Sequence, residues 1–162
     1  MKFTVTKNQI IKAIKTEPLK SGNLYFIDYA NCSDYINNNT HCAVCVVGSI
    51  LSFRLGNTYT PLRLNNIASD LTKFAFINKL TAEDRTFDIN NQPTLRKTIR
   101  VAAAHAKKRP LSTLSSIFEY IMRRPGMIND SGYANYKARR IMVNFVKKNF
   151  PAKLQLNTSK EY

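Results

Sequence analysis

His41-Cys42-Ala43-Val44-Cys45 sets a histidine beside two cysteines at the spacing of a metal knuckle or a redox pair. Structural zinc needs four ligands, which Cys32, Cys42, Cys45 and a histidine would supply. Such sites usually draw on a second paired knuckle, and the chain has no other Cys-x-x-Cys and no His-x₃-His. A thioredoxin-like pair sits where a strand of a βαβ unit feeds a helix N-terminus, which lowers the thiol pKa. No βαβ alternation surrounds this pair. A papain-like nucleophile at Cys42 would need a histidine on a downstream strand. His105 instead lies in VAAAHAKK, a helical context.

Packing explains the stretch better. Cys42, Cys45, Val46, Ser49 and Phe53 recur at three- and four-residue steps, one wall of a buried helix, and free cysteine behaves as a small hydrophobe. Gly48 would let a neighbouring helix approach, and Gly56 stands where a helix C-terminus favours glycine. On this reading serine at either cysteine buries an unpaired hydroxyl, at about 1–3 kcal/mol. No metal and no cofactor is expected.

The elements that position such residues follow from the pattern. A chain of 162 residues with 44% hydrophobic content can bury a core without staples. Thr6-Lys-Asn-Gln9 is a capping box, Ile10, Ile11 and Ile14 form an apolar face, and Pro18 ends that helix. Leu24 to Tyr29 is the best strand, followed by an Asn-rich loop over 31–40. Further helices are expected over about 66–79, 94–108, 112–123 and 131–149, with Asp130 or Ser131 capping the last. Pro61 is placed in a loop, Pro110 as a stop, and 81–93 as a connector. The expected fold is mainly α: a compact single domain over 1–156, with five or six helices and one or two short strands near the N-terminus. Residues 157–162 are expected as a flexible tail.

Charge is the strongest functional signal. The formal net charge is +15, and it is uneven: 10 basic and 7 acidic residues through Asn91, then 15 basic and 3 acidic from Gln92 onward. Such an excess repels itself, and a polyanionic partner is the usual explanation. In the last helix, Lys137, Arg140, Lys147 and Lys148 fall in a stripe about 100° wide, with Tyr133 and Asn144 inside it. In the helix from Thr94, Arg96, Arg100 and Lys107 align within about 40°, and Lys107-Lys108-Arg109 adds a cluster at its end. The helix macrodipole favours cations near a C-terminus, which covers Lys107, Lys108, Lys147 and Lys148 but not Arg96, Arg100, Lys137 or Arg140.

These eleven residues are the expected nucleic-acid contacts, with cations on phosphates and the tyrosine on a base or sugar. The leading expectation is a non-enzymatic protein that binds RNA, DNA or a nucleoprotein. The alternative is an inhibitor or adaptor docking on an acidic protein surface, and the third is a hydrolase using Cys42. No catalytic motif accompanies the Lys- and Asn-rich composition, which suits an accessory product of a phage or other mobile element. No stretch approaches the ~18 apolar residues of a membrane helix, and the lysine-dotted N-terminus is unlike a secretory signal. A cytoplasmic setting with reduced cysteines is expected.

Overall fold

KFTVT and KLQLN, at opposite ends of the chain, both alternate polar and apolar residues, and they pair. The computed structural model describes residues 1–21, 27–33, 41–77 and 94–162, with backbone alone for 27–33, 41–43 and 72–77. Strand β1 (Lys2–Thr6) runs antiparallel to β4 (Lys153–Asn157), Lys2 opposite Asn157 and Thr6 opposite Lys153. Phe3, Val5, Leu154 and Leu156 all face inward, as a two-residue period requires. A second antiparallel pair joins β2 (Ile27–Ser33) to β3 (His41–Val44), with an irregularity between Asp28 and Ser33.

Six helices are present among the described residues: α1 (Lys7–Thr16), α2 (Val46–Leu55), α3 (Pro61–Ile77), α4 (Leu95–Ala106), α5 (Pro110–Met122) and α6 (Tyr136–Asn149). The mainly α expectation holds, with more strand than foreseen. The capping box at Thr6 forms in full: Thr6 Oγ1 accepts from the Gln9 backbone at 3.1 Å, and Gln9 Oε1 from the Thr6 backbone at 2.9 Å. Helix α1 packs against α2 and α6, α2 against α3 and α5, and α4 against α5. The core between them includes Ile10, Ile14, Ile50, Ile67, Ile117 and Phe118, all fully buried.

Five boundaries correct the sequence reading. The stretch from Cys42 is not one helix: His41–Val44 is β3, and Cys45 is the N-cap of α2. An apolar run without polar residues fits a strand or a buried helix equally, and pairing with β2 decides the first half. Pro61 and Pro110 open α3 and α5 rather than sitting in a loop or ending a helix. The first helical N–H has no intrahelical partner, so proline loses nothing there.

The last helix starts at Tyr136 with Asn135 as cap, its side chain accepting from the Ala138 N–H at 3.0 Å. Asn129 takes the N–H groups of Ser131 and Tyr133 instead, and Gly132, at φ 87°, completes a turn that only glycine adopts readily. At the far end, Asn157, expected to begin a flexible tail, lies in β4. Ser159 and Tyr162 beyond it hydrogen-bond to Asp70 on α3. The expected end of α3 at Lys79 and the connector over 81–93 lie outside the described residues.

Candidate nucleic-acid interface

Helices α4 and α6 are separated by α5 in sequence yet meet in space. Thr94 caps α4 by accepting from the Lys97 N–H at 3.0 Å, and Thr98 turns its hydroxyl back to the Thr94 carbonyl. Ala102 and Ala106 then face the core, while Ile99 and Ala103 are only partly covered. Where the first turns of α4 meet the last turn of α6, an open groove of about 390 Å³ forms. Ile99 and Ala103 give it apolar walls; Arg96 and Arg100 from α4, with Lys148 and Asn149 from α6, supply the polar ones.

The expected residues divide into three sets. Arg96, Arg100 and Lys148 come together at the groove. Lys137, Arg140, Asn144 and Lys147 are exposed along α6. Lys107, Lys108 and Arg109 form the corner between α4 and α5, where the backbone N–H groups of Lys108 and Arg109 both donate to the His105 carbonyl. Lys107 is the C-cap of α4, ~17 Å along the helix from Arg96 at 1.5 Å per residue. Tyr133 departs from the expected stripe. It precedes α6, is half-buried, and carries Lys20 Nζ 5.5 Å from its ring centroid.

Two residues escaped the sequence reading. Tyr136, the first residue of α6, is 78% exposed, and the Arg140 guanidinium lies 5.8 Å from its ring centroid. The i,i+4 spacing of Tyr136 and Arg140 could have signalled it, had the helix not been started five residues early. Lys7 comes from the other half of the chain, its Nζ donating to the Lys147 carbonyl at 3.1 Å. Only the fold brings it there.

Placement of the cations along their helices is informative. Arg96 and Lys97 lie in the first turn of α4, Lys137 in that of α6, and neither first turn carries an acidic residue. The N-terminal end of a helix is the positive end of its dipole, so these positions weaken rather than support the helix. Among the described residues, the one ion pair within 4.0 Å joins the Met1 amino group to Glu161. The charges of Arg96, Arg100, Lys137, Lys147 and Lys148 therefore meet no carboxylate there.

Around the cysteines the chemistry is quieter. Cys45 Sγ accepts from the Gly48 N–H at 3.4 Å, and burial pushes its thiol up to about 11, against hydrogen bonds that favour the thiolate. It is therefore a neutral thiol at pH 7. On α5, burial also raises the Glu119 carboxyl, with Arg123 opposing. The side chains of Cys32, His41 and Cys42 lie outside the described residues.

Comparison with protein families, with curated proteins and with solved structures gives no match to this chain.

Proposed function

We propose that this protein binds nucleic acid, or a nucleoprotein, through phosphate contacts from α4 and α6. The observation that carries the reading is the groove where Arg96 and Arg100 meet Lys148. Two helices contribute cations to one concave surface, and Arg96 of α4 stands where helix electrostatics disfavours it. Phosphates would offset that cost, since guanidinium and ammonium groups are the standard donors to phosphate oxygens. Lys137, Arg140 and Lys147 extend the surface along α6, and Lys107, Lys108 and Arg109 along α4.

Salt titration tests it. Each phosphate neutralised on a single strand contributes a slope of roughly −0.7 in log K against log salt, so about five contacts predict about a hundredfold loss between ~50 and ~200 mM. The triple variant Arg96→Glu/Arg100→Glu/Lys148→Glu should lose binding to every sequence and flatten the slope. Wild-type binding that ignores salt, or a triple variant that binds normally, would remove the proposal.

The competing reading is docking onto an acidic protein surface, and the apolar walls of the groove, Ile99 and Ala103, favour it. Complementary charge would then mainly speed encounter. A purified acidic partner that binds in nuclease-treated material, with no affinity for oligonucleotides at low salt, would establish it instead.

A further inference from the structure

Tyr136, Arg140, Asn144 and Lys148 follow one another at four-residue steps on α6, and all four are exposed. Residues at that spacing form a continuous ridge along a helix. At 1.5 Å per residue this ridge is ~18 Å long. One end is Lys148 at the groove; the other is the tyrosine ring, open to solvent and held beside a guanidinium.

An exposed tyrosine with an arginine four residues on supports its own helix only weakly. Burial would gain hydrophobic free energy, and a polar residue would hydrate better. What the pair offers is a π-face and a charge at once. A base stacks on such a face, and the phosphate next to it meets the arginine. Bases inside a duplex hide their faces in the stack, so the ring would add nothing to duplex binding. An unpaired strand presents those faces.

We infer that the ridge is a single-strand track: Tyr136 stacks one unpaired base, Arg140 and Lys148 hold phosphates, and the strand continues into the groove beside Arg96. At ~3.4 Å per nucleotide for a stacked strand, ~18 Å accommodates about five nucleotides. The ligand class is single-stranded nucleic acid, and stacking on a tyrosine makes the track tolerant of sequence because every base has a face. The inference rests on the phosphate-groove reading for the other end of the track.

The test measures affinity by fluorescence anisotropy for a labelled 12-nucleotide oligothymidine and for a 12-base-pair duplex at the same low salt. Wild-type protein should prefer the single strand. Tyr136→Ala should lower that preference about tenfold, the scale of one stacked base, while Tyr136→Phe, which keeps the ring, should retain it. Tyr136 is exposed, so circular dichroism of both variants should match wild type. A preference for duplex, or a single-strand preference that Tyr136→Ala leaves unchanged, would overturn the inference. The groove variant separates the two claims. If Arg96→Glu/Arg100→Glu/Lys148→Glu abolishes binding while Tyr136→Ala changes nothing, the phosphate groove stands and the single-strand track falls. If the groove variant binds both probes as wild type does, the proposed function falls with it.

Discussion

Arg139 and Arg140 are neighbours in sequence and belong to different parts of the molecule. Arg139 turns inward, where its Nη1 donates to the carbonyls of Ile14 and Glu17, each at 2.7 Å, and its Nε to the Ala134 carbonyl at 3.1 Å. One guanidinium thus takes the Ile14 carbonyl at the end of α1, shares the Glu17 carbonyl with the Leu19 N–H, and joins that helix to the start of α6. Partial burial lowers its pKa, with the Glu17 carboxylate opposing, yet a guanidinium stays charged throughout. Arg140 turns outward onto the Tyr136 ring. The lesson is that backbone acceptors separate two adjacent arginines: where carbonyls converge the charge is structural, and where none do it stays at the surface.

Removing each charge should separate the two. Arg139→Met leaves three carbonyls without a charged donor and should lower stability by about 2–3 kcal/mol. Arg140→Met should stay within about 0.5 kcal/mol, as exposed substitutions do. Urea denaturation at pH 7 measures both, and equal midpoints would erase the distinction. Lysine sharpens it. Arg139→Lys keeps the charge but cannot reach three acceptors from one ammonium, so about 1–2 kcal/mol should still be lost. Arg140→Lys should fold as wild type and, on the proposed function, keep most phosphate affinity, since either cation can sit over the Tyr136 ring.

How much of this was legible depended on the range of the interactions involved. The capping box, the apolar face of α1, and the aligned Arg96 and Arg100 are local patterns, and the structure places them where the sequence suggests. The pairing of β1 with β4 is not local. KFTVT and KLQLN each show only two inward residues, and neither segment looks like a strand until the other end of the chain is beside it. The groove is equally non-local, because Lys148 reaches Arg96 only through the packing of α4 and α6. Helix starts were misread where a residue had two uses: proline as stop or as first residue, and the polar run 129–135 as cap or as turn. The role of Arg139 was invisible, since nothing in the sequence distinguishes it from Arg140.

Cys45 extends the comparison to a neutral group with an assigned partner. As a buried helical residue it would tolerate alanine better than serine. As the N-cap of α2 it should do the reverse, because a serine hydroxyl would take over the Gly48 N–H and alanine cannot. Cys45→Ala should cost about 1 kcal/mol, and Cys45→Ser within about 0.5 kcal/mol either way. Urea midpoints in the opposite order would return Cys45 to simple packing. The sign of the thiol's own pH effect follows from its pKa, which lies near 11 in the fold against a usual 9.0. A raised value stabilises the fold below pH 9, and that contribution fades as pH climbs through 11.

The smallest effect concerns Asp70, which resembles Arg139 in having partners but keeps them at the surface. It accepts from Ser159 Oγ at 2.6 Å and from the Tyr162 hydroxyl at 2.9 Å, and the Ser159 N–H reaches both carboxylate oxygens at 3.1 Å. Burial works against ionisation here, but the hydrogen bonds from Ser159 and Tyr162 outweigh it and hold the carboxyl below its usual 3.8. A depressed pKa adds stability that is present above the unfolded value and is lost as pH falls through the folded one. Nothing from Asp70 should therefore change between pH 5 and 8, and the docking of residues 158–162 should weaken only in acid. Tyr162 marks the opposite limit: burial first, then its bond to Asp70, pushes its hydroxyl up to about 12. That stability is present below pH 10 and lost as pH rises through 12. Water competes for these contacts, so the acid effect should be about 0.5 kcal/mol or less. Asp70→Asn, which cannot ionise, should trail wild type slightly from pH 5 to 7 and match it only once the pH falls well below 3.8. Denaturation curves that stay parallel across that range would show that Asp70, despite its four hydrogen-bond contacts, behaves like the exposed charges of Arg96, Arg100 and Lys137.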